Sequence, residues 1–262
     1  MTHEGFSHNM KLAILSDIHG NSIALDAVLA DIEHAGGVDG YWLLGDFAAI
    51  GPDPVGVLEQ IRALPNAHFL RGNTDRYATT QGLVEGWLAE ARAHPDKIEG
   101  VLDFARSMAW TMGAVTAAGF LGWMRELPLD LRLTLPDGTR VLGVHAAPGT
   151  DDGKGLSPKL SEAELRAALA GCAADLVFAG HTHIPMDLTV DGVRVFNLGS
   201  VSNSPVEDQR AKYAILHADA STHRVEPRRV AYDQAAVIAL TDKLGHPAAG
   251  RIAQFMGGEV RG

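Results

Sequence analysis

The sequence predicts an α/β fold, and three features of the chain point to it. Over residues 11–71, short apolar runs alternate with segments of helical periodicity, which is typical of β-α-β units around parallel strands. From residue 130 onward, short strand-like runs separated by turn residues are frequent. Between these parts lies a segment rich in Leu, Met, Trp and Phe with few β-branched runs, which predicts helices.

The first part of the chain predicts three strands and two helices. Short apolar runs predict buried strands over residues 11–16, 40–44 and 67–71. Apolar positions at helical spacing predict helices over residues 22–35 and 54–64. A polar residue follows each strand, and ligand sites of parallel sheets form at the carboxyl ends of the strands.

The middle segment, about residues 77–128, predicts two to four helices that form a cap inserted into the fold. It contains three of the four tryptophans, Trp87, Trp110 and Trp123. Aromatic side chains at helical spacing usually pack in a hydrophobic core. We therefore expect these rings to pack within the cap rather than to stack on nucleic-acid bases.

The last part of the chain predicts a β-rich region with two helical segments. A turn signal at residues 136–138 joins predicted strands over residues 130–135 and 139–144. A capping box that begins at Ser161 predicts a helix over residues 161–170. The other predicted elements are a glycine-rich loop at 146–157, strands at 175–179, 187–190, 193–197, 212–217 and 223–230, and a helix from about 232.

Charge and cysteine content argue against several classes of protein. The formal net charge is −10, whereas proteins that bind nucleic acid or membrane surfaces nonspecifically usually present a basic face. One cysteine, Cys172, leaves no disulfide framework, which is typical of a reducing cytosol. No apolar run reaches the roughly 18 to 20 residues of a membrane helix. We expect a cytoplasmic protein with no membrane partner, a flexible extension over residues 1–10 and a single domain over residues 11–262.

Seven side chains of metal-binding type follow predicted strands. Taken singly, each has an ordinary explanation: Asp46 suits a turn, Asn73 suits a turn or a helix N-cap, and His145 suits a hydrogen-bonded core. Each follows an apolar strand, however, so all of them can meet at one edge of a sheet. The seven residues are Asp17, His19, Asp46, Asn73, His145, His181 and His183.

The chemistry of these side chains predicts a pair of metal ions. Two carboxylates, four imidazoles and one amide oxygen suit Mn²⁺, Fe, Zn²⁺ or Ni²⁺ and do not suggest an iron–sulfur cluster. Seven ligands are more than one metal needs, but they fit two metals that share a bridging carboxylate. Two metals about 3.5 to 4 Å apart can stabilise an in-line displacement at phosphorus.

Five motifs, taken together, resemble those of the calcineurin-like metallophosphoesterases. The match spans residues 12 to about 200, and the segments SDIHGNSIALDAVL, LLGDFAAIGPDP and FNLGSVSNSP resemble the small prokaryotic phosphodiesterase-like branch of that family. The resemblance implies two packed mixed β-sheets flanked by helices in four layers, with the helical cap between the third and fourth motifs. In chain order the motifs are Asp17-x-His19, Gly45-Asp46, Gly72-Asn73-Thr74-Asp75, His145 and Gly180-His181-Thr182-His183.

The resemblance also implies a role for each of the seven residues. A hydroxide held between two metals would attack phosphorus, so Asp46, Asn73 and His145 would act in catalysis through the metals. Mn²⁺ is the expected ion, and Fe, Zn²⁺ or Ni²⁺ also suit these ligands. The implied ligands are Asp17, His19 and His183 for the first metal and Asn73, His145 and His181 for the second, with Asp46 as the bridge.

The third motif departs from the family pattern at Thr74. Many relatives have a histidine there that protonates the leaving oxygen, whereas a threonine hydroxyl is a poor acid at neutral pH. An alkoxide leaving group would need a proton from water, from Asp75 or from the cap. Members of the prokaryotic branch often lack this histidine and still resemble phosphodiesterases, so we expect a small phosphodiester as substrate.

Other functions stay open on the sequence alone. A phosphomonoesterase acting on nucleotides, sugar phosphates or phosphoproteins is the first alternative. A non-catalytic scaffold is the second, although a scaffold would be expected to lose ligands and all seven are present. A nuclease is disfavoured by the acidic charge.

Arg71 and Arg76 are candidates for surface ion pairs, and Lys154 is expected to be a solvated loop residue. The sequence leaves the oligomeric state open.

Overall fold

The computed structural model describes residues 9–80 and 82–257. Ten strands lie within these residues: β1 (Asn9–Leu15), β2 (Gly40–Leu43), β3 (Ala67–Phe69), β4 (Asp130–Thr134), β5 (Arg140–Val144), β6 (Leu176–Ala179), β7 (Met186–Val190), β8 (Val193–Asn197), β9 (Ala211–Asp219) and β10 (His223–Val230). The α-helices of the same residues are α1 (Ser22–His34), α2 (Pro54–Ala63), α3 (Asn73–Thr79), α4 (Gly82–Ala93), α5 (Ile98–Ala117), α6 (Leu121–Arg125), α7 (Glu162–Leu169), α8 (Gln234–Leu244) and α9 (Ala249–Phe255), with a 3₁₀ turn at Pro95–Lys97.

The strands form two mixed sheets of five strands each. The first sheet has the order β10-β9-β1-β2-β3, in which β1, β2 and β3 are parallel and β9 is antiparallel to β1. The second has the order β4-β5-β6-β8-β7, with β5, β6 and β8 parallel. The predicted α/β fold of two packed mixed sheets is therefore confirmed.

The central strand β1 is buried on both faces. Leu12 and Ile14 pack with side chains of the second sheet, including Phe178 of β6. Ala13 and Leu15 point the other way and pack with Leu25 and other residues of α1 and α2. The outer face of the second sheet packs against α7 in a separate cluster. Layers of helix, sheet, sheet and helix result, and the covered faces leave the strand ends as the place for polar groups.

The first strand begins two residues earlier than predicted. Asn9 and Met10 pair with Asp219 and Ala218 of β9, so these residues extend the sheet. Residues 1–8 of the predicted extension lie outside the described residues.

The predicted insert is helical, but its last helix belongs to the main core. The Trp123 ring of α6 stacks on Phe47 with centroids 6.3 Å apart and meets Phe69 edge-on at 5.2 Å. Trp110 instead contacts His246, which follows α8. The expectation of a cap with its own aromatic core is therefore wrong for Trp123, because α6 returns the chain to the first sheet just before β4. The side chain of Trp87 lies outside the described part of the structure.

None of the helices within residues 9–80 and 82–257 has the length and apolar character required to span a membrane.

Candidate metal centre

The seven strand-end side chains of the sequence prediction lie together where the two sheets meet. Each sheet contributes at the carboxyl ends of its parallel strands, as the strand bounds show. The segments that carry the side chains are those after β1 (Asp17, His19), β2 (Asp46), β3 (Asn73), β5 (His145) and β6 (His181, His183).

One group of these side chains has the membership expected for a first metal. The Oδ1 atom of Asp17 lies 3.2 Å from His183 Nε2 and 3.9 Å from His19 Nε2. The Nε2 atoms of His19 and His183 are 3.1 Å apart. One donor atom from each residue therefore lies within reach of a single cation.

A second group surrounds the amide of Asn73. Its Oδ1 atom lies 3.0 Å from His145 Nε2 and 2.9 Å from His181 Nδ1. Asp46 lies between the two groups, since its Oδ2 atom is 3.5 Å from His145 Nε2 and 3.7 Å from His19 Nε2. This placement suits the bridging role predicted for Asp46.

Asp17 lies closer to the second group than the sequence indicated. Its Oδ1 atom is 4.0 Å from His145 Nε2, and Asp17, Asp46 and His145 form a further set that could hold an ion. Asp17 Oδ2 accepts a hydrogen bond from the backbone N–H of His181 at 2.9 Å. In contrast, Oδ1 is buried and has no hydrogen-bond partner among the described residues.

An unpartnered buried carboxylate oxygen is a test of whether a cation fits. Leaving such an atom without a partner is costly, because it has lost its water and gained nothing in exchange. Asp17 Oδ1 faces imidazole nitrogens that can act as lone-pair donors, and a divalent cation would satisfy all of them at once. The donor set therefore fits a metal.

The backbone at these positions is held in an uncommon conformation. A left-handed backbone costs a residue with a Cβ atom roughly 1 to 2 kcal/mol, and such outliers often aim a functional side chain. Five of the seven residues have positive φ: Asp17 (58°), His19 (52°), Asp46 (57°), His181 (65°) and His183 (57°).

Three of the four histidines are oriented by backbone carbonyl groups. In each of them Nδ1–H donates to a carbonyl oxygen, which leaves Nε2 as the lone pair that faces the centre. The pairs are His19 with Ala49 (2.9 Å), His145 with Leu44 (2.7 Å) and His183 with Asn203 (2.7 Å).

The carboxylates and imidazoles of the centre shift one another's pKa values. Burial opposes ionisation of Asp46, but the charges of His145 and His19 outweigh burial and hold the pKa of Asp46 far below its usual range. Burial lowers the pKa of His145, yet Asp46 and Asp17 outweigh it and raise that pKa to about 10. A cation that bound His145 would release its proton, since only the neutral ring is a ligand.

Asp75 connects two of the ligand loops. Its carboxylate accepts hydrogen bonds from the backbone N–H groups of Asp46 (2.8 Å), Phe47 (3.0 Å) and Gly72 (3.0 Å). Burial and the charge of Asp46 raise its pKa to about 7. Because Asp75 is fully buried and both oxygens bind backbone, it supports the Asp46 and Asn73 loops instead of facing a leaving group.

Thr74 lies directly beside Asp46. Its backbone N–H donates to Asp46 Oδ1 at 2.8 Å, which leaves Oδ2 free to face the histidines. Its hydroxyl is buried and finds no hydrogen-bond partner in the described part of the chain.

A buried polar network behind His183 had only an indirect signal in the sequence. Asn21 caps α1 through Ala24 N–H and also donates to Ser202 Oγ at 2.9 Å. Asn203 donates to the Ile50 carbonyl at 3.1 Å, which joins its loop to the segment after β2. Ser202 and Asn203 lie in the segment FNLGSVSNSP, whose only signal in the sequence is its resemblance to the family.

The basic residues near the motifs form ion pairs. Arg71 and Arg76 both pair with Asp151, at 2.8 and 3.0 Å, so they are ion-pair partners as predicted, but the shared carboxylate is nearly buried and the pairs do not lie on the open surface. Lys154 is exposed and pairs with Glu164 at 2.7 Å.

Comparison with known sequences gives one family and several distant relatives. The sequence profile described as the calcineurin-like phosphoesterase superfamily domain matches residues 10–221. An uncharacterised protein of Methanocaldococcus jannaschii is 28% identical over 238 residues, which cover 85% of this chain and 88% of that protein. A symmetrical bis(5′-nucleosyl)-tetraphosphatase of Pectobacterium carotovorum is 29% identical over 139 residues, which cover 52% of this chain and 43% of that enzyme.

Solved structures share the architecture over nearly the whole chain. A metallophosphoesterase from Sphaerobacter thermophilus superposes with a TM-score of 0.71 and 26% identity, covering 94% of this chain and 99% of that one. A hypothetical protein from Pyrococcus horikoshii OT3 has a TM-score of 0.77 and 22% identity, covering 95% and 99%. The second likeness concerns the fold alone.

Proposed function

Because the chain belongs to the calcineurin-like phosphoesterase superfamily, we propose that it hydrolyses small phosphoesters, phosphodiesters foremost, with two divalent cations. The observation that carries the proposal is that the seven strand-end side chains lie together and that Asp17 Oδ1, one of their oxygens, is buried without a hydrogen-bond partner among the described residues. Such an arrangement has no use in a hydrophobic core.

In this proposal the seven residues divide between two cations. Bound cations would supply Lewis acidity and an activated water for attack on phosphorus. Mn²⁺ is the expected ion, since hard oxygen ligands are combined with imidazoles. The cations would also supply the positive charge that an anionic substrate requires in a chain of net charge −10. The first cation would bind Asp17, His19 and His183, the second Asn73, His145 and His181, and Asp46 would bridge them.

The chain's own contribution is to fix its donors before substrate binds. Thr74 N–H fixes Asp46 Oδ1, and backbone carbonyl groups orient His19, His145 and His183. Pre-organised groups need little reorganisation during the reaction, which is the main source of electrostatic catalysis.

The preference for a diester rests on the missing acid at Thr74. Asp75 cannot readily replace it, because its oxygens bind three backbone N–H groups. Good leaving groups depart without protonation, so the loss of general acid catalysis changes which esters are cleaved without preventing the chemistry. The tetraphosphatase relatives make nucleotide-derived esters the first substrates to test, although the aligned segment spans less than half of those enzymes. We also propose that the protein is located in the cytoplasm.

Activity profiling with metal analysis of the same sample tests the proposal. Chromogenic monoesters and diesters, nucleotide diesters and lipid-derived diesters would be assayed with Mn²⁺. We expect two metal ions per chain and a higher kcat/KM for diesters. A preference for monoesters would favour the phosphomonoesterase alternative. Two bound ions without activity on the whole panel would favour the scaffold, and fewer than two ions would overturn the dinuclear centre.

A further inference from the structure

His181 differs from the other three histidines of the centre in how its ring is held. Its Nδ1 faces Asn73 Oδ1, and its outer nitrogen Nε2 donates to the carbonyl of Gly153 at 2.9 Å. The carbonyl partners of the other three rings belong to buried residues, whereas Gly153 is exposed in the glycine-rich loop at residues 146–157. The orientation of the His181 ring therefore depends on a surface loop.

An ion-pair cluster ties that loop to helix α3. We call Arg71, Arg76, Asp151 and Asp152 the arginine–aspartate cluster. The Asp151 side chain is 6% exposed and accepts from Arg71 Nε at 2.8 Å and from Arg76 Nη2 at 3.0 Å. Asp152 pairs with Arg76 at 2.8 Å and also accepts a hydrogen bond from the Tyr77 hydroxyl. Removing one partner of a buried ion pair is strongly destabilising, because the charge that remains is buried and uncompensated.

Helix α3 is connected to the second metal position in two ways, directly through Asn73 and indirectly through the arginine–aspartate cluster. Helix α3 begins at Asn73, the proposed ligand beside His181 Nδ1, and carries Arg76 one turn later. Arg76 holds Asp151 and Asp152, and the next residue in the loop is Gly153, which binds His181 Nε2. The same helix thus positions both sides of the His181 ring.

The first metal position has separate support. His183 is held by Asn203, and His19 by Ala49, neither of which lies in the loop at 146–157. The backbone of His181 is itself fixed, since its N–H donates to Asp17 Oδ2. Loss of the cluster would therefore affect the orientation of the His181 ring and leave its chain position unchanged.

We propose that Asp151 is a positioning residue for the second metal ion. Through the arginine–aspartate cluster it holds the Gly153 carbonyl against His181 Nε2, and it thereby sets the affinity of the second position for its cation. The inference rests on the proposed function, because it requires two cations. Mutation of a residue that orients a metal-binding histidine without binding the metal itself typically lowers metal affinity about 10- to 100-fold. We expect a change of this size at one position only.

The test is a metal titration of three chains: wild type, Asp151→Asn and Asp187→Asn. The control removes a two-point pair of comparable geometry, Asp187 with Arg194 at 2.8 and 2.9 Å, on the β7–β8 hairpin. Each chain is stripped with a chelator and titrated with Mn²⁺, and free Mn²⁺ is followed by electron paramagnetic resonance. For Asp151→Asn we expect one dissociation constant to rise about 10- to 100-fold and the other to change little. For Asp187→Asn we expect both constants to match the wild type.

A second readout reports on the ring itself. The ¹⁵N resonances of the His181 imidazole should show loss of the Nε2–H hydrogen bond in Asp151→Asn and not in Asp187→Asn. If Asp151→Asn fails to fold, Asp152→Asn, whose carboxylate is 40% exposed, provides the same test with a smaller shift.

The outcomes separate this inference from the proposed function. A wild-type chain that binds fewer than two ions overturns the dinuclear proposal and this inference with it. Two ions bound by the wild type, together with unchanged constants or an equal loss at both positions in the Asp151 variant, overturn the inference alone.

Discussion

The strand-end loops of the proposed metal centre and the insert helices α4 to α6, residues 82–125, differ in how far their side chains are enclosed. Asp17 and His145 have no exposed surface, whereas Leu88, Ile98 and Leu102 in the insert are 43% to 47% exposed. A loop that ends a central strand is held by neighbouring strands on both sides, while the outer insert helices pack mainly on other helices. The side chains of the proposed metal centre are therefore held by the sheets, whereas the insert presents large apolar side chains at the surface.

The strongest test of this division changes the buried side of the comparison. Asp46→Asn removes the charge between the two groups but keeps Oδ1 as the acceptor for Thr74 N–H, so the fold should persist. We expect kcat/KM to fall by about 10³-fold or more, equivalent to roughly 4 kcal/mol, because the proposed bridge between the two cations would be weakened. Steady-state kinetics on the best diester measures the loss. Wild-type activity in this variant would contradict the role of Asp46.

A second test compares the inner and outer ends of the insert. Met124 of α6 is fully buried in the core beside the first sheet, whereas Leu102 of α5 is 43% exposed. Met124→Ala should lower the free energy of unfolding by about 2 to 5 kcal/mol, since it leaves a cavity. Leu102→Ala should change it by about 0.5 kcal/mol or less. Urea denaturation followed by circular dichroism measures both, and equal effects would show that the insert is one uniform unit.

A third test concerns the contact between the insert and the C-terminal helices. The His246 ring is buried 4.4 Å from the Trp110 ring, and its Nδ1 accepts the N–H of Ala248 at 3.0 Å. Burial lowers the pKa of His246 to about 4. In the unfolded chain the pKa of His246 is near 6.5, so the unfolded state binds the proton more tightly than the folded state does. The free energy of unfolding therefore decreases as the pH falls below about 6.5.

The expected loss is about 2 kcal/mol between pH 7 and pH 5 from this group. His246→Asn removes the titration and keeps an acceptor for Ala248 N–H. The difference in unfolding free energy between wild type and variant, measured across this range, isolates the contribution of His246. A difference that does not change with pH would contradict it.

The smallest expected effect concerns the leaving group. Thr74→His places an imidazole next to Asp46, where many relatives have their acid. We expect esters of poor leaving groups to gain about 10-fold in kcat/KM relative to activated esters, at the low end of general acid catalysis. Kinetics with a series of phenols of different pKa would measure the change in slope. An unchanged slope would mean that the missing acid does not explain the substrate preference.

Local features of the chain could be predicted because they depend on neighbouring residues. Pro54 begins α2, and Ser161 caps α7 in the predicted capping box. Residues 136–138 lie between β4 and β5 as the turn signal indicated. The order of polar side chains at strand ends was likewise readable, since alternation of strands and helices places those ends at one edge. The metal-binding roles of the seven residues stay predictions.

Other features required contacts that leave no local signal. Asp75 was a candidate proton donor in the sequence, but in the fold it binds the N–H of Asp46, 29 positions away. Trp123 was expected in a separate cap core, but it packs against Phe47 beside the first sheet.

The sequence by itself determined the strands, the bounds of helices α1, α2 and α7 to within one residue, and the residue types that can hold cations. The tertiary structure alone decided which contacts hold these residues: the hydrogen bonds of Asp75 to the ligand loops, the approach of Asp17 to His145, and the contact of His181 with Gly153. Arg71 and Asp151 are 80 positions apart, and Asn73 and His181 are 108 apart. Periodicity and capping act over a few residues, whereas these contacts exist only after the two sheets have packed.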